Sequence, residues 1–260
     1  PYPEEIFRRL TDAMADVHFA PTQQAKANLL AERIPPEGIF VTGNTAIDAL
    51  LQTVDPHYRF RTPCLAELPF ADKAVLAVEV HRRENWGERM HRIFRALQRV
   101  ARERSDVVLA CSVHRNPEVA GVANRYLRGE PRVHLFSPPL DYREWANLMA
   151  RCRFVITDSG GLQEEAPALG RPVLLLRHAT ERPEAVAAGT VWQVGTDEQA
   201  ICEAVYTLLD DRRRYEAMAT AKNPYGDGQA ARRTVQGLAY RLGLTVQRPD
   251  EWLAPSQVVC

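Results

Sequence analysis

Between residues 73 and 210, short apolar runs alternate with longer stretches of helical character. The apolar runs Lys73–Val80, Asp106–Val113, Val133–Phe136, Arg153–Thr157, Pro172–Leu176 and Val191–Val194 predict strands. Between and after them, Gly87–Arg104, Pro117–Arg128, Tyr142–Arg151, Leu162–Leu169 and Glu198–Asp210 predict helices, and one more helix follows Gly228. Strands that alternate with helices in this way imply a parallel sheet covered on both faces. Upstream, residues 4–16 predict a helix, Val17–Ala20 a strand, and Gln23–Arg33 a helix with Thr22 as its cap. Ile39–Thr42 predicts a further strand, after which Gly43-Asn44-Thr45 turns into a helix through Leu51. The proline- and turn-rich stretch Asp55–Pro69 reads as a linker between two domains.

In open parallel sheets ligands bind beyond the carboxyl ends of the strands. His81, His114, Asp158–Gly161 and Arg177 all fall just past predicted strand ends. The most informative of these places is the run Ile156-Thr157-Asp158-Ser159-Gly160-Gly161-Leu162-Gln163-Glu164-Glu165-Ala166-Pro167. A strand that ends in a small hydroxyl residue and two glycines, then enters a helix, presents backbone N–H groups and the positive end of the helix dipole, which favours a phosphate. Two carboxylates in the first helical turn would repel an anion beside them, but they suit the hydroxyls of a ribose. A nucleotide with a diphosphate and a ribose diol fits both demands; a plain tight turn explains the glycines alone. His81-Arg82-Arg83-Glu84-Asn85 reads either as a solvated charged loop or as a loop that meets a diphosphate, with a histidine able to move a proton near neutral pH. The loop from Arg177 to Glu184 is dense in charge, and arginine forks suit phosphates and carboxylates alike.

Composition narrows the classes. The 260 residues are 45% hydrophobic and 25% charged, ordinary for a globular protein. Lys+Arg and Asp+Glu are both 33, so net charge gives no reason to expect nucleic acid or an anionic membrane as partner. The five cysteines (Cys64, Cys111, Cys152, Cys202, Cys260) are far apart and form no CxxC pair, which indicates neither a zinc site nor a disulfide framework and points to a reducing cytoplasm. No apolar stretch reaches membrane-spanning length. The sequence opens at Pro1 directly in Pro-Tyr-Pro-Glu-Glu, so the expectation is the later part of a longer protein.

An ordered set of motifs then carries a resemblance. It comprises Pro3-Glu4-Glu5 with Arg8, Phe19-Ala20-Pro21-Thr22, Val41-Thr42-Gly43-Asn44-Thr45, His81-Arg82-Arg83-Glu84-Asn85, and Val113-His114 with Asn116-Pro117. It continues through Pro139-Leu140-Asp141-Tyr142, Thr157-Asp158-Ser159-Gly160-Gly161, Gln163-Glu164-Glu165-Ala166-Pro167, Thr180-Glu181-Arg182-Pro183-Glu184, Gly189-Thr190 and Asn223-Pro224-Tyr225-Gly226-Asp227-Gly228. Together, from residue 1 to about residue 240, these resemble the non-hydrolysing UDP-N-acetylglucosamine 2-epimerases of bacteria. The resemblance implies an α/β glycosyltransferase-B-type fold of two Rossmann-like domains, the first only partly present. Residues 1–55 would be the C-terminal part of the first domain, 56–70 a linker, 71–228 the second, UDP-binding domain, and 229–260 a C-terminal helix and tail. It further implies UDP and UDP-N-acetylglucosamine as ligands, no nicotinamide or metal, a homodimer, and a role in surface polysaccharide synthesis.

Carried over by position, the resemblance makes Glu4 an acidic residue of the chemistry and His81 the histidine by the diphosphate. Ser159, Gly160 and Gly161 match the phosphate turn, Arg82 and Arg182 match arginines of the UDP site, Glu165 matches the ribose carboxylate, and His114 matches a regulatory UDP-N-acetylglucosamine site. The chain departs from the family's usual residues at Phe7 (asparagine), Glu79 (threonine), Cys111-Ser112 (Tyr-Pro) and His178-Ala179 (Asp-Thr). A carboxylate at Glu79 would weaken diphosphate binding unless it pairs with Arg82 or Arg83. Two further catalytic acids of the family have no counterpart here, so this chain alone is expected not to turn over.

Overall fold

The computed structural model of the chain describes residues 3–254. In order, its main elements are α1 (Glu4–Met14), β1 (His18–Ala20), α2 (Gln23–Ala31), β2 (Ile39–Val41), α3 (Thr45–Thr53), α4 (Pro63–Ala66), β3 (Ala74–Glu79), α5 (Glu88–Glu103), β4 (Val107–Ser112), α6 (Pro117–Leu127) and β5 (Val133–Phe136). They continue as α7 (Tyr142–Arg151), β6 (Phe154–Thr157), α8 (Leu162–Ala168), β7 (Val173–Leu175), α9 (Pro183–Ala187), β8 (Val191–Gln193), α10 (Glu198–Asp210), α11 (Arg212–Thr220) and α12 (Ala230–Arg241). The chain divides into two compact units, residues 52–222 and residues 1–51 with 223–260.

The larger unit is built on a six-stranded sheet in the order β5-β4-β3-β6-β7-β8, parallel throughout. The chain enters at the centre with β3, steps outward to β5, then returns beside β3 with β6 and steps outward the other way. Connections therefore leave β3 and β6 toward opposite faces, and a crevice opens at their carboxyl ends. Register brings Glu79 of β3 opposite Ser112 on β4 and Thr157 on β6. Every residue of β4 and β6 is buried, as expected for strands covered by helices on both faces. On one face, Met90, Ile93, Leu97 and Val100 of α5 and Ile201, Val205 and Leu208 of α10 join Leu76, Val78, Leu109 and Ile156 of the sheet in one core. The helices start where short polar side chains can accept from free backbone N–H groups. Asn116 caps α6 through Glu118 N, Asp141 caps α7 through Glu144 N, and Asp197 caps α10 through Ala200 N.

The stretch expected to be a linker is part of this unit. Glu144 of α7 accepts from the N–H groups of Arg61 (2.8 Å) and Thr62 (2.9 Å) and from the Thr62 hydroxyl (2.6 Å). Asn147 accepts from Asp55 N at 2.9 Å, and Leu65 of α4 is fully buried. Two buried polar side chains that serve this backbone bind it to α7, which its proline content did not reveal. Helices α9 and α11 were also not expected. In α11 only Tyr215 and Met218 are buried, too few to mark a periodic face.

In the smaller unit β1 and β2 pair in parallel. The C-terminal region, expected as a separate helix and tail, belongs to this unit instead. The Asp48 carboxylate accepts from Ala230 N (3.1 Å) and Ala231 N (2.8 Å), capping α12 from α3, far away in sequence. Tyr225 O accepts from Asn44 N at 2.7 Å, and Val41 O accepts from Trp252 N at 2.8 Å. Gly237 lets α12 approach: a Cβ there would stand 2.8 Å from the Phe19 ring and 3.4 Å from the Phe40 ring. Residues 255–260 of the expected tail lie outside the described residues. Among the described residues, no helix is long and apolar enough to cross a membrane.

Because Asp48 satisfies two of the first free N–H groups of α12, Asp48→Ala is expected to destabilise the smaller unit by about 1–3 kcal/mol. Faster hydrogen exchange of α12 amides, with the amides of β3 and β4 unchanged, is the expected readout.

Candidate functional site

The loop after β3 and the turn after β6 are tied together by Asp158. Its side chain is fully buried, and Oδ1 accepts from His81 N at 3.0 Å while Oδ2 accepts from Arg82 N at 3.0 Å and Asn85 Nδ2 at 2.9 Å. Asn85, itself buried, also donates to Leu176 O at 3.1 Å and so links the end of β7. A buried carboxylate is costly unless its lone pairs are used, and here three N–H donors use them. The neighbouring Thr157 hydroxyl donates to Glu79 O at 2.7 Å and accepts from Ser159 N at 3.0 Å, which sets the turn on the sheet. Gln163 then donates to Ser159 O at 3.0 Å, Thr180 donates to Gln163 Oε1 at 2.6 Å, and Arg182 N donates to the Thr180 hydroxyl at 3.0 Å. One chain of hydrogen bonds thus runs from β6 to the loop before α9.

Basic side chains surround this turn, each compensated by a carboxylate. Arg82 donates to Glu181 Oε1 at 3.2 Å, and buried Arg177 donates to Glu84 at 2.5 Å and to Glu181 Oε2 at 2.7 Å. Arg182 donates to Glu164. Gly160 lies where these groups converge, since a Cβ there would stand 3.0 Å from Glu181 Oε1 and 3.1 Å from Arg82 Nη2. Gly161, at the N-cap of α8, supplies no side chain to the first turn. The dense loop from Arg177 to Glu184 therefore has an internal role: of the phosphate or carboxylate partners that an arginine fork suits, Arg177 has carboxylates, being buried and cross-linking Glu84 and Glu181.

Beside the turn is a cavity of about 310 Å³ lined by Glu79, Ser112, Leu140, Tyr142, Ser159 and Glu165, among others. Of the two carboxylates in the first turn of α8, only Glu165 lines this cavity; Glu164 is nearly buried and paired with Arg182. Burial, with Glu164 and Glu79 adding like charge, pushes the Glu165 carboxyl up to about 7. Glu79 is likewise pushed up to about 7, by burial first and by Asp158 second. Among the described residues no arginine pairs with Glu79, and Arg82 is turned to Glu181; the ring nitrogen His81 Nδ1 stands 3.7 Å from Glu79 Oε1. The condition set by the sequence, a pairing with Arg82 or Arg83, is not met among the described contacts; Glu79 has a carboxyl–imidazole neighbourhood instead.

The His81 ring stacks on that of His114 with centroids 5.5 Å apart and planes 25° from parallel. Burial lowers the His81 pKa against the raising effect of Asp158, with His114 and Arg82 lowering it further, so the neutral imidazole is favoured. Its Nδ1 is buried with no hydrogen-bond partner. His114 Nδ1 accepts from Asn116 N at 3.1 Å.

The loops after β3, β4, β6 and β7 and the first turn of α8 thus carry His81, Arg82, His114, Ser159, Gly160, Gly161, Glu165 and Arg182; of these, strand-end spacing implied His81, His114 and Ser159–Gly161. Glu4 lies in the smaller unit, exposed in the first turn of α1. The sequence reading did not single out Asp158 or Asn85 as anchors; their positions, just past one strand and within the loop past another, are the signal that marks them. Among the described residues no group of three His, Cys, Asp or Glu side chains is arranged to hold a metal ion.

A carboxyl raised on folding stabilises the native state fully below its ordinary range, and that contribution is lost as pH rises through the raised value. Glu79→Gln is therefore expected to leave unfolding free energy nearly unchanged near pH 5 and to raise it at about pH 8 by on the order of 1–2 kcal/mol, read by urea unfolding at both pH values.

A family model described as UDP-N-acetylglucosamine 2-epimerase matches residues 1–239. A putative UDP-N-acetylglucosamine 2-epimerase of Clostridium acetobutylicum is 51% identical over 252 residues, covering 97% of this chain and 65% of the relative. The Bacillus subtilis UDP-N-acetylglucosamine 2-epimerase is 48% identical with the same coverage. Among solved structures, the S. aureus MnaA–UDP co-structure superposes with TM-score 0.91 at 43% identity, covering 97% of this chain and 68% of that one. A Neisseria meningitidis UDP-GlcNAc 2-epimerase bound to UDP-GlcNAc superposes with TM-score 0.84 at 41% identity, covering 92% and 65%. The α/β architecture with parallel sheets is that of these glycosyltransferase-B-type neighbours. The chain spans about 65% of the length of these two curated relatives. Its ordered motifs, its sheet and the match over residues 1–239 place the chain in the UDP-N-acetylglucosamine 2-epimerase family.

Proposed function

We propose that residues 52–222 bind UDP and UDP-N-acetylglucosamine at the carboxyl ends of β3 and β6. The observation that carries this reading is the turn Ser159–Gly161, held by Asp158 against the His81-Arg82 loop, beside a cavity that Glu165 lines. In this reading Gly160 and Gly161 meet the diphosphate through backbone N–H groups and Ser159 through its hydroxyl, its own N–H being held by Thr157, with Arg82, Arg182 and neutral His81 around it. Glu165 accepts from the ribose hydroxyls, and its raised pKa suits a carboxyl that gains donors only when ligand is bound.

The reaction we assign to the whole protein is epimerisation at C2. The C2 proton is removed and the C1–oxygen bond to UDP breaks, its electron pair leaving with UDP, to give 2-acetamidoglucal. UDP then re-adds at C1 as a proton arrives at C2 from the other face, yielding UDP-N-acetylmannosamine. Charge that develops on the departing diphosphate is stabilised by the preformed turn and its arginines. Glu4 is assigned to the acid chemistry and His114 to a regulatory UDP-N-acetylglucosamine site. The intact runs His81–Asn85 and Thr180–Glu184 favour the non-hydrolysing branch, in the service of surface polysaccharide synthesis, with the protein a cytoplasmic homodimer.

Calorimetric titration of UDP into this chain tests the binding site. Glu165→Ala and Ser159→Ala are each expected to weaken UDP binding by about tenfold or more, the loss of one or two charge-assisted hydrogen bonds. Unchanged affinity in both would refute the assignment. With the full-length protein, product analysis separates the branches: UDP-N-acetylmannosamine is expected, and free N-acetylmannosamine with UDP would instead identify the hydrolysing reaction.

A further inference from the structure

Two carboxylates of the larger unit's cavity, Glu79 and Glu165, have neither a backbone anchor nor an arginine; the nucleotide reading above gives Glu165 to the ribose hydroxyls and leaves Glu79 without a role. Glu79 ends β3, opposite Ser112 of β4, and these two residues line the same cavity as Glu165 and Ser159. The groups that face Glu79 come from every element around it. His81 Nδ1, from the loop after β3, is 3.7 Å from Oε1, and His81 is stacked on His114 from the loop after β4. Asp158, after β6, is near enough to act on Glu79 by charge, but its two oxygens are committed to His81 N, Arg82 N and Asn85. Glu165 of α8 shares the cavity, and Tyr142 and Trp145 of α7 close it. The arginines around the turn are directed elsewhere, Arg82 to Glu181 and Arg182 to Glu164.

A diphosphate at the Ser159–Gly161 turn adds negative charge to a wall that already carries two carboxyl groups and offers no cation to Glu79 except an imidazole disfavoured in its charged form. Like charges in a part-buried site are relieved by protonating the group that holds its proton most readily. We infer that Glu79 carries a proton into the loaded site: a nucleoside diphosphate bound at the turn is held with the Glu79 carboxyl neutral, and its arrival draws that proton from solvent onto Oε1 or Oε2. The neutral carboxyl then becomes a donor within the cavity. Its tendency to titrate near neutrality leaves it available for this in the physiological range. The inference rests on the nucleotide reading given above.

The test is calorimetric titration of UDP into this chain, in buffers of low and high ionisation enthalpy and at two pH values. At about pH 8 the binding enthalpy is expected to depend on the buffer with a slope of roughly one proton taken up per UDP, and the slope is expected to shrink near pH 6. Affinity of the parent is expected to fall by up to about tenfold per pH unit above the Glu79 titration. Glu79→Gln and Glu79→Thr, two variants of different size so that one misfolded protein does not decide the matter, are expected to bind UDP with that slope and that pH dependence lost. UDP binding by the parent without a buffer-dependent enthalpy at either pH would overturn the inference alone. A slope retained in both variants would overturn it in favour of Glu165 or His81 as the proton acceptor. Failure of the parent to bind UDP at all would overturn the nucleotide reading and this inference with it.

Discussion

One buried carboxylate organises the larger unit's site. Asp158 stands at the crevice where β3 and β6 lie side by side, and it cannot remain there as an anion without donors. The three N–H groups it finds belong to the loop after the neighbouring strand, so meeting its own need fixes His81, Arg82 and Asn85. Asn85 extends the tie to the end of β7. Two loops far apart in sequence become one rigid wall. The glycine turn then inherits its geometry from Thr157 and Gln163, side chains that occupy its hydrogen-bonding groups on the sheet side and leave the other side to ligand.

Charge in this unit is arranged so that each arginine near the turn has a carboxylate partner on the same wall. Glu181 bridges Arg82 and Arg177, and Glu164 holds Arg182. Such pairing orders long side chains that would otherwise lose rotamer freedom on meeting an anion, which is one route to preorganisation. It also sorts the two adjacent acids of α8 into different tasks. Glu164 is turned inward to an arginine, while Glu165 faces the cavity with its pKa raised by burial and by its neighbour. Neighbouring residues on a helix point about 100° apart, so one acid can serve the framework while the next serves the ligand.

The relatives that share this fold give the arrangement its context, and one wall of the cavity has a composition of its own. At Glu79 and Ser112 the chain places a carboxyl and a hydroxyl on adjacent strands of one cavity wall. The carboxyl is not balanced by an arginine, and the histidine beside it is held toward the neutral form. The proposed site therefore sets a glycine turn beside a wall on which burial pushes two carboxyl groups toward the protonated form.

Much of the fold was legible along the chain. Short apolar runs alternating with helical stretches specified a parallel sheet, because only strands covered on both faces can be apolar throughout, and Thr22 marked the start of α2, where its side chain accepts from Ala25 N. The placing of His81, His114 and Ser159–Gly161 past strand ends was likewise local information. Tertiary structure alone decided the rest. That Asp55–Pro69 packs on α7 depends on the buried side chains of Glu144 and Asn147, and that α12 joins the smaller unit depends on Asp48, more than 180 residues away. Whether Glu164 or Glu165 faces the cavity, whether Arg177 is a ligand fork or a buried cross-link, and whether Glu79 meets arginine or histidine were equally closed to the sequence. Caps and strand patterns are set by neighbours within a few residues, whereas the partner of a charge is set by whatever the folded chain brings within about 4 Å of it.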